Sequence, residues 1–317
     1  MTRISTFSQG QALVTQMLRN QEYLRHEQTR VATGKNGDNL KDIARDANVL
    51  LSSRSVSART ESYMSANREL AVRMELQNNA LGGIAGIADE FRNDLIKTVN
   101  LNSGVGLIDK MTDHMDRLVN LLNTTLNGKY IFSGSRTDFS PINVSTTADL
   151  LALANTSDAF DNNAIKLTQR LDESRSIEHG QLANEIAEPL LDGIRRIQQF
   201  ANGTLPTGAG AYAPAGAFTD PLSENQINFL VNEFSVALNA IETARSAEQV
   251  NGIHMSTVQN QLELQAKELS FLDIFTAEIE NVDIAEAVAN LKSGESALQA
   301  SLSVIARLGR LSLLDFI

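Results

Sequence analysis

The chain ends with IAEAVANLKSGESALQASLSVIARLGRLSLLDFI, residues 284–317, a stretch with no proline and with glycine only at Gly294 and Gly309. Its apolar residues recur at alternating spacings of four and three, which is the pattern of a coiled-coil seam. The same spacing recurs at the start of the chain, in residues 2–23, where Gln11 interrupts it. We predict that both ends of the chain are helices and that each carries a narrow apolar face.

These apolar faces predict an assembly interface. Chain ends are usually the least ordered part of a domain, and an isolated pair of such helices buries little surface. Helices of this kind become stable mainly by packing against further helices, including those of other copies. The predicted interface consists of Ile4, Phe7, Val14, Leu18, Ile284, Val288, Leu291, Leu298, Leu302, Ile305, Leu308, Leu311, Leu314 and Phe316.

The interior of the chain mixes long helical patterns with two short strand signals. Apolar periodicity predicts helices over residues 40–101, 107–127 and 185–200, and again from Leu222 to the C-terminal stretch. The run KYIFSG at 129–134 is strand-like. Alternating residues over 165–171, followed by a turn signal and by residues 175–182, predict a β-hairpin.

This order of elements predicts a mainly α fold. We expect an elongated antiparallel bundle or coiled coil of long helices formed by both chain ends, with a small α+β insertion domain at the tip. The predicted terminal domain combines residues 1–39 and 284–317, and the long-helix domain combines residues 40–133 and 225–283. Residues 134–224 form the predicted insertion domain.

Composition excludes several classes of protein. The 317 residues carry a net charge of −11, which argues against nucleic acid or an anionic membrane as a partner. The absence of cysteine excludes disulfides, thiolate catalysis and cysteine-based zinc sites. No stretch approaches the roughly 18 consecutive apolar residues of a membrane span, and residues 1–17 lack the pattern of a cleavable signal peptide.

We find no set of residues that predicts catalysis, a metal or a cofactor. The four histidines stand far apart, and Asp113-His114-Met115-Asp116 is more typical of a solvated helix face than of a metal site. Ala32-Thr33-Gly34-Lys35 lacks the upstream glycine and the preceding strand of a phosphate-binding loop. We therefore expect a protein that is not an enzyme.

Several short motifs resemble one known family. They are RIST at 3–6, ATGK at 32–35, YIFSG at 130–134 followed by TD at 137–138, and LSLLDFI at 311–317. In this order the motifs resemble those of the flagellin-like axial proteins of the bacterial flagellum. Within that family they are most similar to the hook-filament junction proteins.

The resemblance implies a structural role outside the cell, in the flagellum. The terminal helices would pair into an inner tube, and residues 134–224 would face outward. The implied partners are copies of the chain in a ring, a neighbouring hook-associated protein, flagellin, and an export chaperone before secretion through the flagellar type III channel. Two alternatives remain: a flagellin that forms the filament itself, and an enzyme or ligand-binding head at 134–224 on a coiled-coil stalk.

Overall fold

The computed structural model describes residues 2–37 and 45–314, with side chains at 11–37 and 45–307. The fold is mainly α, as the sequence predicts. Its helices are α1 (Thr2–Thr33), α2 (Ala47–Leu101), α3 (Leu107–Leu122), α4 (Thr147–Ala152), α5 (Ala183–Ala201), α6 (Glu224–Glu280) and α7 (Ile284–Leu314). The strands are β1 (Thr125–Leu126), β2 (Lys129–Tyr130), β3 (Leu167–Arg170) and β4 (Ser176–His179).

One predicted helix ends earlier than its apolar pattern indicates. The pattern runs to residue 127, but α3 ends at Leu122 and the chain enters the β1–β2 hairpin. Asn127 and Gly128 form the turn, with φ of 52° and 76°. Two successive left-handed residues of the Asn-Gly type match the twist of a two-residue hairpin. The turn chemistry therefore overrides the helical spacing.

The hairpin predicted between residues 165 and 182 is confirmed. Strands β3 and β4 are antiparallel, with Leu167 opposite His179 and Arg170 opposite Ser176. Asp172 holds the turn, because its Oδ1 accepts hydrogen bonds from the backbone nitrogens of Ser174 and Arg175, both at 2.7 Å. The short helix α4 has no counterpart among the predicted elements.

The chain forms two compact units, which we describe separately. The first unit comprises Met1–Glu61 and Ala266–Ile317, and the second comprises Ser62–Gln265. The three predicted domains, with their boundaries at residues 39, 133, 224 and 283, stay a prediction.

In the second unit, α2 and α6 are antiparallel, and α3 and α5 complete an apolar core. Asp89 on α2 pairs with Arg245 on α6 at 2.6 Å, and Asn67 on α2 bonds Gln265 on α6 at 3.1 Å. The two helices therefore run in opposite directions. A Cβ on Gly193 would lie 3.0 Å from the Phe91 ring, which shows how closely α5 approaches α2. The largest fully buried side chains include Phe91, Phe132, Phe200, Phe229, Leu95 and Met111.

Candidate assembly interface

In the first unit, helices α1 and α7 form an antiparallel pair. Asn20 Nδ2 on α1 donates to Ser301 Oγ on α7 at 3.1 Å. One end of the pair is fixed where Lys35, just after α1, forms an isolated antiparallel bridge with Asn281, just before α7. The two termini predicted to be helical therefore meet each other within one chain.

The seam of this pair follows the four-and-three spacing, but several of its positions are polar or lack a side chain. Asn20 and Ser301 bond across it, and a Cβ on Gly294 would lie 3.3 Å from Leu24 Cδ1. Polar groups at such positions fix the register of a coiled coil and reduce its stability. The less exposed positions are Leu13, Met17, Asn20, Leu24, Glu27 and Val31 on α1, and Ala287, Leu291, Gly294, Leu298, Ser301 and Ile305 on α7.

Beside the seam lies a second row of apolar residues, which we call the outer strip. It consists of Val14 and Leu18 on α1 and of Val288 and Leu302 on α7, and we include Ile284, which continues the seam spacing but is exposed at the start of α7. Each of these side chains is about half exposed, from 45% for Val288 to 56% for Leu18. Half-exposed aliphatic side chains in two neighbouring helices form a surface that a partner can cover.

The structure thus divides the predicted interface into two faces. Leu291, Leu298 and Ile305 are partly buried in the helix pair, whereas the residues of the outer strip are exposed. On α1, Val14 and Leu18 follow the seam residues Leu13 and Met17 by one position. One position rotates a side chain by about 100° around a helix.

The remaining predicted interface residues cannot be assigned to either face. Ile4, Phe7, Leu308, Leu311 and Leu314 belong to α1 and α7, but their side chains lie outside those that the structure describes. Phe316 lies outside the described residues altogether. That the full set packs against other subunits stays a prediction.

Sequence reasoning missed the polar members of the seam. Glu27 is buried and accepts two hydrogen bonds from Arg30 NH1, at 2.9 and 3.0 Å. The signal that would have identified this face is the same alternating spacing, starting one residue earlier at Leu13. A search for apolar residues alone does not find this spacing, because two of its positions, Asn20 and Glu27, are polar.

The ATGK motif is the end of a helix and the start of a backbone contact. Gly34 has φ of 69°, the left-handed conformation of a helix terminus. Lys35 Nζ donates to Asn281 Oδ1 at 2.8 Å and to Glu280 Oε2 at 3.2 Å. Asn36 Nδ2 donates to the backbone oxygens of Ile279 and Asn281, at 2.9 and 3.0 Å. This motif therefore ties the end of α1 to the break between α6 and α7.

Glu280 is the centre of this contact. It forms ion pairs with Lys35 and with Arg54 on α2. Burial alone would raise the pKa of Glu280, but hydrogen bonds and charges from Lys35 and Arg54 outweigh it and hold the pKa below its usual value. Asp283 then starts α7, because its Oδ1 accepts from the backbone nitrogens of Ala285 and Glu286 at 2.9 and 3.2 Å.

The second unit corrects our interpretation of His114. We expected a solvated helix face, but His114 is buried, with Nε2 3.0 Å from Asp94 Oδ2 on α2. Lys110 Nζ donates to the other Asp94 oxygen at 2.7 Å. Residues 113–116 therefore lie at the edge of the buried face of α3, because His114 and Met115 are buried while Asp113 and Asp116 are exposed.

Across residues 2–37 and 45–314, no three His, Asp or Glu side chains gather where they could hold a metal ion. Within the same part of the chain, no helix combines the length and apolarity needed to cross a bilayer.

Comparisons with known proteins find similarity to one family model and to solved structures. The profile of the bacterial flagellin N-terminal helical region matches residues 4–137, while a comparison with curated protein sequences finds no match. A solved structure of a Vibrio parahaemolyticus protein, described as a flagellar hook-associated protein, is similar with a TM-score of 0.57 and 14% identity, over 76% of this chain and 100% of that one. FlgL from Bacillus cereus is similar with a TM-score of 0.53 and 10% identity, over 72% of this chain and 99% of that one. Residues 4–137 are therefore similar to the N-terminal helical region of bacterial flagellins, and the chain shares its fold with these two solved structures.

Proposed function

We propose that this chain is a structural subunit of the bacterial flagellum, an adaptor that joins the hook to the filament. The flagellin-type region at residues 4–137 supports a place in the flagellum, and the likeness to FlgL favours the adaptor over the filament subunit. The outer strip carries the proposal, because it leaves apolar side chains in water beside a helix pair whose own seam is partly polar.

Covering the outer strip would stabilise an assembly substantially. Full burial of a large aliphatic side chain contributes about 1.5–3 kcal/mol, so a half-exposed one contributes roughly 1 kcal/mol when it is covered. The strip has five such residues, Val14, Leu18, Ile284, Val288 and Leu302. Their sum, on the order of 5 kcal/mol per subunit, is offset by the loss of translational and rotational freedom. A ring distributes this gain over every subunit contact.

The proposed partners are those that the resemblance to the flagellin-like axial proteins implies, and the outer strip offers a surface for them. Copies of the chain form a ring, with a hook-associated protein on one side and flagellin on the other, and residues 134–224 face outward. An export chaperone covers the apolar ends before the chain leaves the cell through the flagellar type III channel. The role is mechanical and requires no catalysis, because the two faces of the ring present different contacts to the hook and to the filament.

A charge in the outer strip tests the proposal. Leu302→Glu should abolish attachment to sheared hook and filament fragments in a cosedimentation assay, because a desolvated carboxylate costs several kcal/mol. Ser303→Glu is the matched control, since Ser303 is exposed and its side chain points about 100° away. Both variants should keep the helical circular dichroism of the wild type. Attachment of Leu302→Glu at the wild-type level would contradict the assignment of this surface.

The alternative, a flagellin that forms the filament, is favoured by the match to the flagellin N-terminal region. Electron microscopy of the purified protein, seeded with sheared filament fragments under salting-out conditions, distinguishes the two functions. An adaptor should give monomers or short caps on the seeds, because its two faces fit different neighbours. Long filaments of this chain alone would identify it as a filament subunit.

A further inference from the structure

The second unit contains a cavity, lined by both polar and apolar side chains, that the assembly function does not use. Its volume is about 360 Å³, and it lies between α2, the β1–β2 turn and the β3–β4 hairpin. Glu69 and Arg73 line it from α2, Lys129 from β2, and Thr168 and His179 from the β3–β4 hairpin. Three of these five side chains are basic.

Two nitrogen atoms of these side chains are buried without a hydrogen-bond partner, Arg73 Nε and His179 Nδ1. Arg73 Nη2 donates only a long hydrogen bond, of 3.4 Å, to the backbone oxygen of Tyr130, and Glu69 lies close enough to interact with the guanidinium charge. His179 itself is 94% buried, since only 6% of its surface is exposed. An unpaired buried donor is costly, and a guanidinium presents a planar fork that matches an oxyanion.

The charges at the cavity favour an anion. Arg73 keeps its positive charge even though burial lowers its pKa, and Lys129 adds a second cation, against one carboxylate at Glu69. Burial, together with the charges of Arg73 and His254, lowers the pKa of His179 to about 4. His179 is therefore neutral at pH 7, and an anion beside Arg73 would raise its pKa.

We propose that this cavity binds a small oxyanion, a phosphate or a carboxylate, between Arg73 and Lys129 and next to His179. The space is ample, because one water molecule occupies only about 30 Å³ of liquid volume. The site lies within residues 62–265 and is independent of the outer strip. It can therefore be tested whether or not the chain is an adaptor.

The test is histidine NMR on the full chain, titrated at pH 7 with sodium phosphate or sodium acetate against sodium chloride at constant ionic strength. We expect a saturable shift of the His179 signal, and a pKa of His179 above about 4 at saturation. His26, in the first unit, should not shift. Saturation by phosphate alone identifies a phosphate site, and saturation by acetate identifies a carboxylate site. Shifts that stay linear, or that equal those in chloride, would overturn the proposal.

Variants separate specific binding from general charge effects. Arg73→Gln should weaken the affinity by about tenfold or more, because hydrogen bonds to charged groups contribute about 1.5–3 kcal/mol. Arg68→Gln removes the same charge from an exposed position of α2 and should leave the affinity unchanged. Lys129→Gln, at an exposed position of β2, should weaken binding about threefold and serves if Arg73→Gln does not fold. Equal affinities in Lys129→Gln, Arg68→Gln and the wild type would exclude this site.

Discussion

The core of the second unit and the terminal helix pair both consist of long helices, but they differ in how fully their apolar side chains are buried. In the core, Leu118 and Phe229 have no exposed surface. In the terminal pair, Asn20 and Ser301 occupy the seam, while the outer strip leaves apolar side chains half exposed. The second unit closes a large apolar core within the chain, whereas the terminal pair buries its seam only partly and leaves the outer strip on the surface.

This difference shows where each region obtains its stability. A buried core is stabilised by about 25 cal/mol for each Å² of apolar surface removed from water. The second unit obtains this stabilisation from its own side chains, without a partner. The terminal pair gains less, because polar seam positions reduce the apolar area and helices draw most of their stability from tertiary packing. We infer that the terminal pair reaches full stability only when neighbouring subunits cover the outer strip.

Matched leucine substitutions give the largest contrast between the two regions. Leu118→Ala should lower the free energy of unfolding by about 4 kcal/mol, because it leaves a cavity at a fully buried position of α3. Leu302→Ala should change it by less than about 0.5 kcal/mol, since that side chain is half exposed in the monomer. Urea unfolding of the purified monomer measures both. Equal losses would show that the outer strip is already buried within the monomer.

Sequence patterns were sufficient where one local signal decides the structure. The spacing of apolar residues located α1 and α5, and alternation with a turn located β3 and β4. They could not choose between Leu13 with Met17 and Val14 with Leu18, because both pairs fit a seam. That choice depends on α7, more than 250 residues away in the chain.

The burial of His114 was unpredictable for a similar reason. Its partner Asp94 lies on another helix, twenty residues earlier in the chain. The local sequence DHMD shows only two acids around a histidine, and nothing in it reveals that the intervening loop returns α3 onto α2. The early end of α3 could have been predicted, because Asn127-Gly128 is a strong hairpin signal.

Buried carboxylates offer a second way to separate the regions. Glu233 is fully buried and bonds Arg196 through both oxygens, at 2.8 and 2.7 Å, which raises the pKa of Arg196. Glu233→Gln should reduce the free energy of unfolding by about 3 kcal/mol, because it leaves the Arg196 charge without its partner.

The counterpart in the terminal pair is Glu27, whose side chain is 3% exposed and paired with Arg30. Glu27→Gln should leave the global unfolding midpoint unchanged and speed tryptic cleavage at Arg25 and Arg30, because only the helix pair opens. If Glu233→Gln and Glu27→Gln both lowered the global unfolding midpoint, the two regions would unfold as one cooperative unit.

Two helical glycines extend the comparison to packing. A Cβ on Gly193 would lie 3.0 Å from two atoms of the Phe91 ring, so Gly193→Ala should cost about 2 kcal/mol through overpacking. On Gly294 the nearest atoms, at 3.3–3.4 Å, belong to Leu24 and to the partly exposed Tyr23, which can move. Gly294→Ala should therefore be neutral or slightly stabilising, since alanine favours a helix. Thermal unfolding of the two variants tests this, and a large loss at Gly294 would indicate a rigid seam.

The smallest expected effect concerns pH and the contact around Glu280. Its pKa lies below the usual 4.5, so its ion pairs stabilise the folded chain fully above that value and are lost as the pH falls through the lowered pKa. The contribution is below about 1 kcal/mol, because the Lys35 and Arg54 side chains are half exposed. Glu280→Gln should loosen the terminal helices at pH 7, measured by hydrogen exchange in α1, and should remove the part of their acid sensitivity that arises below pH 4.5.

Asp94 also has a lowered pKa, held down by Lys110 and His114 against the opposing effect of burial, so the second unit should keep its own acid sensitivity in this variant. An unchanged acid response of α1 in Glu280→Gln would show that residues 34–36 and 279–281 hold the helix through their backbone contacts alone.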